Sequence, residues 1–207
     1  MKLKLSLLIS ILITTLFILS TTQVKAQSDS TERKYFIGST FFMLGNFAKN
    51  NKPDFVQLNL GYRINPKNSI SIELKTWKYA WPLGTGFYQN FEKPGENFPG
   101  YIREYGVVLA YQHFWWKGLY NAVHAMNAHQ TFVDENGKKL KNGYQLFMTY
   151  RLGYQFKFFK NRFFLEPSIA ITHRPFHTKM PESFKVWDDK WSKFLFGEPG
   201  LHFGFNF

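Results

Sequence analysis

GYQLFMTYRLGYQFKFFKNRFFLEPSIAITHR, residues 143–174, decides the fold, because its side chains alternate with a period of two, reverse at a turn and alternate again. Tyr144, Leu146, Met148, Tyr150, Leu152, Tyr154, Phe156 and Phe158 share one parity; Gln145, Thr149, Arg151, Gly153, Gln155 and Lys157 share the other, interrupted only by Phe147. Successive side chains of a strand point to opposite faces, so this is a strand with one apolar and one polar face. Phe159-Lys160-Asn161 turns the chain. Phe163, Leu165, Ile169 and Ile171 then oppose Glu166, Ser168, Ala170, Thr172 and Arg174 on the return. Strands of this length exceed the roughly 5–6 residues common in soluble sheets and match the ~9–11 residues that cross a bilayer at a tilt.

The same pattern recurs on both sides. Val56, Leu58, Leu60, Tyr62 and Ile64 alternate with Gln57, Asn59, Gly61 and Arg63; after the turn Asn65-Pro66-Lys67-Asn68, Ile70, Ile72 and Leu74 alternate with Ser69, Ser71, Glu73 and Lys75. Residues 101–114 form a fourth strand, and Lys117-Gly118 leads into a fifth, 119–132, in which Asn121 and His124 fall on opposite parities and leave its facing open. Residues 34–44 read as a first strand whose two parities both carry aromatics, and 194–207 as the last. Prolines and glycines make 79–100 a long loop, 134–139 is a charged loop, and 175–192 is a third long loop in which Phe184, Trp187 and Trp191 fit one face of a short helix. Eight strands whose connections alternate long and short define an antiparallel up-and-down meander. Such a meander closes into a transmembrane β-barrel with no sheet edge left for a bilayer to strand.

Direction of the faces follows from the small residues. Gly61, Gly106, Ala110, Gly153, Ser168, Ala170, Gly200 and Gly204 all lie on the polar parity, as a narrow, crowded interior requires. The apolar parity carries Tyr and Phe near strand ends, where amphipathic rings sit at a membrane interface. A soluble lipocalin-like ligand-binding barrel, with the apolar face inward, is the competing architecture, and it lacks the Gly-x-Trp expected near the first strand.

Leu201-His202-Phe203-Gly204-Phe205-Asn206-Phe207 ends the chain. With this run and the eight-strand pattern, the chain resembles the small eight-stranded outer-membrane β-barrel proteins of Gram-negative bacteria, including the OmpX type and the barrel domain of OmpA. The resemblance implies that Phe203, Phe205 and Phe207 form an aromatic signal read by the barrel-assembly machinery, with His202 where a glycine is usual. It also implies contact with outer-membrane lipids, lipopolysaccharide or a related lipid among them.

Lys2 and Lys4 precede an apolar run from Leu5 to Leu19, and Val24-Lys25-Ala26 offers a cleavage site. Residues 1–26 therefore read as a secretory signal peptide cleaved after Ala26, and 27–207 as the barrel domain. The chain has no cysteine, so neither disulfides nor thiolate chemistry can operate. A formal net charge of +12 is scattered without a compact basic run, and in an exported chain it points away from nucleic acid and toward phosphate-bearing lipid or plain solvation.

With the polar face inward, Arg63, Glu73, Lys75, Glu104, Arg151, Lys157, Glu166, Arg174 and Glu198 share the interior. Unpaired charges there cost several kcal/mol each, so a paired structural ion network filling the lumen is expected in place of an open pore. No catalytic, cofactor-binding or metal set emerges. His173 and His177 have a metal-like spacing but are separated by Pro175 and lack an acidic or cysteine partner. The enzyme-class alternative is a lipid A-modifying protein of deacylase or acyltransferase type, for which His129-Gln130-Thr131 is the nearest approach to a His-x-Ser pair. The expected role is structural, or binding through the loops.

Overall fold

The computed structural model describes residues 33–49, 52–80, 99–189 and 193–207. The expected signal at 1–26, most of the aromatic loop before Gly100, and Trp191 lie outside the described residues. The alternating stretches form β1 (Tyr35–Thr40), β2 (Val56–Asn65), β3 (Asn68–Tyr79), β4 (Tyr101–Trp116), β5 (Leu119–Val133), β6 (Lys139–Tyr154), β7 (Phe156–Phe158), β8 (Phe163–His177) and β9 (Phe194–Asn206), with one short helix, α1 (Glu182–Asp188).

β7 continues β6. Gly153 pairs with Ser168 and Phe156 with Leu165, so the register runs on past Gln155. In that register Pro167 falls opposite Tyr154 and brings no N–H to the ladder, which accounts for the gap. With β6 and β7 as one strand, the order is β6-β5-β4-β3-β2-β1-β9-β8, and β8 returns to β6. Every pairing is antiparallel. The molecule is thus a single antiparallel sheet running as a ring through eight strands, a near-barrel.

The tight turns keep the predicted chemistry. Asn65 Oδ1 accepts from Lys67 N and Asn68 Nδ2, both at 2.9 Å. Lys117 and Gly118 have φ of 42° and 104°, the pair of positive values that a two-residue hairpin turn demands. Phe159, Lys160 and Asn161 hold φ of 50°, 56° and 63° at the reversal inside the opening stretch.

Four boundaries depart from expectation. β1 stops at Thr40 instead of continuing to Leu44, because the Thr40 hydroxyl accepts from Phe42 N and the chain enters a 3-10 turn, Phe41–Phe47. β3 runs on to Tyr79, and β6 starts at Lys139, shortening the charged loop. β8 passes through Pro175 to His177; the ladder with β6 shifts register between Leu146 and Met148, which accommodates a proline that cannot donate. Another bulge lies at Gly197, φ 87°, where Ala170 pairs with Glu198 but Ile171 with Phe196. Helix α1 forms where the aromatic spacing places one, with Phe184 buried.

Candidate functional site

Two surfaces carry the chemistry, and one alternation makes both. Inward-facing positions pack across a narrow space. A Cβ added at Gly61 would stand 1.9 Å from the Phe36 ring, at Gly204 2.2 Å from the Phe164 ring, and at Gly200 2.0 Å from Arg151 Nη1. Glycine at these points makes room for a large side chain, from the adjacent strand at Gly61 and Gly204 and from β6, across β8, at Gly200.

The interior is layered. At the long-loop end Tyr79, Ile102, Phe132, Met180 and Phe184 form a buried apolar cluster that α1 closes from above. Beneath it Glu104, 1% exposed, accepts from Tyr79 Oη at 2.8 Å, Gln130 Nε2 at 3.2 Å and Gln145 Nε2. Val108, Met126, Ala128 and Phe147 make the next, apolar layer, so the lone aromatic on the polar parity of β6 is an interior side chain. Glu73 then meets His124 Nδ1 at 3.1 Å and Gln57 Nε2 at 3.5 Å. Glu166 accepts from Gln112 at 3.1 Å and Gln155 at 2.6 Å. Phe114, Tyr120 and Ala122 pack near the short-turn end.

The nine charged residues expected to share the interior divide accordingly. Arg151 and Glu198 form an ion pair of 3.2 Å, and Arg151 also donates to Ser168 at 2.9 Å. Arg174 pairs with Asp188 of α1 at 2.6 Å, a carboxylate that the sequence pattern did not single out. Arg63 donates to Asn206 Oδ1 at 3.0 Å and lies over the rings of Phe36 and Phe114. Lys75 is half-buried beside the layers of Glu73 and Glu104. Lys157 keeps the inward parity and sits, exposed, at the open short-turn end. The expected balance of opposite charges is therefore only part of the solution: Glu104 and Glu166 are held chiefly by glutamine and tyrosine donors. An amide donates to a buried carboxylate without bringing a second charge to desolvate. Gln57, Gln112, Gln145 and Gln155 were legible by parity, since each falls on the polar face of its strand; Gln130 and His124 were not, because the sequence leaves the facing of β5 open.

A cavity of about 40 Å³ remains beside Asn59, Glu73, Gln112, His124, Glu166 and His202. It admits a water or two and is far smaller than the ~300 Å³ at which small-molecule pockets begin. Among the described residues no group of three or more His, Asp or Glu side chains could hold a metal. His173 stacks on Phe194 with ring centroids 4.2 Å apart, and His177 lies 4.0 Å from Asp188.

Facing outward, the register lines side chains up in rows across β3, β4, β5 and β6. The first row, toward the long loops, is Lys78, Arg103, Thr131 and Asn142; Asp54 stands 3.5 Å from Lys78 and 3.4 Å from Arg103. Thr76, Tyr105, His129 and Tyr144 follow. Three rows are then mainly apolar, with Leu74, Val107 and Leu146, with Ile72, Leu109, Ala125 and Met148, and with Ile70, Tyr111, Val123 and Tyr150. Asn127, the amide in this belt, accepts from Tyr144 Oη at 2.6 Å. Toward the short turns come Asn68, His113 and Asn121, where Asn68 Oδ1 meets His113 at 2.8 Å and Trp115 donates to Asn121 at 2.7 Å. Leu109 is 59% exposed and Leu152 53%, while Glu104 and Gln130 behind the same wall are 1% exposed. β9 joins the belt: Phe203, Phe205 and Phe207 face outward, packed on Phe41, Phe163 and Tyr35 respectively.

The fold and these two faces define a ringed β-sheet with an apolar exterior and a filled, mixed polar and apolar interior. No protein-family model matches the chain, and neither a curated protein nor a solved structure matches it significantly.

Proposed function

We propose that this chain is an exported outer-membrane β-barrel with a filled interior, serving in envelope structure or in binding through its long loops, in contact with lipopolysaccharide or a related lipid. The observation that carries the reading is the outer belt: apolar rows bounded by a cationic and polar row on the long-loop side and by an aromatic and amide row on the other. From Lys78 to Asn68 the apolar rows together with their two border rows span roughly 33 Å of strand, or about 25 Å when tilted at about 40°, a distance on the scale of a crossing of the outer membrane. A protein in water would bury those rows and expose the carboxylates and amides that this chain encloses. The carboxy-terminal aromatics Phe203, Phe205 and Phe207 are offered to the assembly machinery on the outward face of β9.

Cell fractionation with intact-mass measurement tests the reading. The expected product is a membrane-fraction protein starting at Gln27; recovery from the soluble periplasmic fraction would overturn it.

One outward group favours a second reading. His129 is exposed at the border of the belt between Tyr105 and Tyr144, with Thr131 on the same face, where a lipid headgroup could reach both. As a lipid A-modifying enzyme, the chain would change the acyl mass of lipid A in expressing cells, and the change would vanish in His129→Ala.

A further inference from the structure

β1 ends at Thr40, opposite His202, while β9 runs on to Phe194, so above Thr40 the described wall has no strand beside β9 on that side. The backbones of Tyr35 and Phe207 exchange hydrogen bonds, at 3.3 and 2.9 Å, and the alternation of an antiparallel ladder then turns the polar groups of odd-numbered residues below the Gly197 bulge toward β1. A side chain and a proline deal with one acceptor and one donor position where β1 is missing. Thr40 Oγ1 donates to Leu201 O at 3.1 Å, and Pro199 has no N–H to leave unpaired. Across the gap, Asn46 stands in for a strand residue: its Nδ2 donates to Phe55 O and its Oδ1 accepts from Phe55 N, both at 2.8 Å.

An edge bordering water needs none of this, because water hydrates it. Hydrocarbon offers no such partner, and each unpaired group there is expensive. The segment that fills the gap agrees. Phe41–Phe47 carries no charge; Phe42 anchors it against Phe55 and Trp77, with ring centroids at 4.8 and 5.7 Å, and Phe41 packs on outward-facing Phe203. Leu44 and Phe47 remain 60% and 85% exposed, continuous through Phe41 and Phe203 with the apolar belt.

We infer that the 3-10 segment Phe41–Phe47 is a lipid-inserted wedge: it replaces the upper part of β1 and sinks Leu44 and Phe47 among the acyl chains of the leaflet on the long-loop side. This rests on the membrane reading above. The absence of cysteine allows clean single-site nitroxide labelling at Phe47→Cys, Leu44→Cys, a belt control Leu109→Cys and a loop control Glu135→Cys, each in the full-length mature chain folded into phosphatidylcholine vesicles. Collision with oxygen, which partitions into hydrocarbon, is compared with collision with a water-soluble nickel chelate. The labels at 47 and 44 are expected to resemble that at 109, with an oxygen-to-nickel ratio several-fold above that at 135. Water-like labels at 47 and 44 beside a lipid-like label at 109 would overturn the wedge and leave the membrane reading standing. A water-like label at 109 would overturn both. Spin–spin broadening at 47 that fades on dilution with unlabelled protein would assign the surface to a second copy and overturn the lipid occupant.

Discussion

The two faces of β4 are opposites. On one, Tyr105, Val107, Leu109 and Tyr111 are exposed; on the other, Glu104, Gly106, Val108 and Ala110 are buried. A single residue of offset separates an exposed leucine from a buried carboxylate. The outer face is bound only by being apolar, whereas the inner face must satisfy volume and hydrogen bonding at every position. The same substitution should therefore have opposite meanings on the two faces.

The largest expected effect comes from charging the outer face. Leu109→Arg, or Ile72→Arg beside it in the register, both in the middle apolar row, should weaken folding into vesicles by about 2–4 kcal/mol, while inward Thr149→Asn should be tolerated. Urea titrations of vesicle-folded protein measure both; equal responses would break the distinction between the faces.

Next in size is the interior. Glu104→Ala would leave the Tyr79 hydroxyl and the Gln130 and Gln145 amides without their shared acceptor, at a cost of about 1–3 kcal/mol. Glu104→Gln keeps an acceptor oxygen in nearly the same volume and should lose less. A loss in Glu104→Gln as large as in Glu104→Ala would show that the carboxylate itself, with its charge, is what the site requires.

How far the sequence reveals this depends on the kind of constraint. Strand existence, antiparallel order and the facing of β2, β3, β6 and β8 were legible, since a period of two survives any detail of packing. The facing of β5 was not, because Asn121, Asn127 and His129 face outward on a strand whose inward side carries apolar Phe132, Ala128 and Met126; only the pairing with β4 and β6 resolves it. The end of β1 was hidden because Phe41, Phe42 and Leu44 suit a strand as well as a turn, and the deciding bonds of Thr40 and Asn46 reach Leu201 and Phe55, far away in sequence or across the gap. The interior partners were partly hidden for a similar reason. Parity identifies which groups face inward, but the layer on which each carboxylate meets its glutamine is set by the stagger between strands, and no local pattern encodes that.

The smallest effect on the whole should come from α1, and it separates wall from lid. Arg174, on the inward parity of β8, reaches Asp188 at the helix end at 2.6 Å, and Phe184 packs on Phe132 with ring centroids 5.1 Å apart. Breaking a buried ion pair ordinarily costs several kcal/mol because a charge is stranded. Here the helix is one short segment between β8 and β9, with no strand ladder holding it, so it can lift and let water reach Arg174 while the ring of strands stays intact. Asp188→Asn should therefore shift the global urea transition by less than about 0.5 kcal/mol, within the range of surface changes. Amide exchange in Glu182–Asp188 should rise at least several-fold, and that in β4 and β5 should not change. If instead the global transition falls together with the helix, the lid belongs to the same cooperative unit as the wall, and the contrast drawn between a self-sufficient ring and a detachable cover fails.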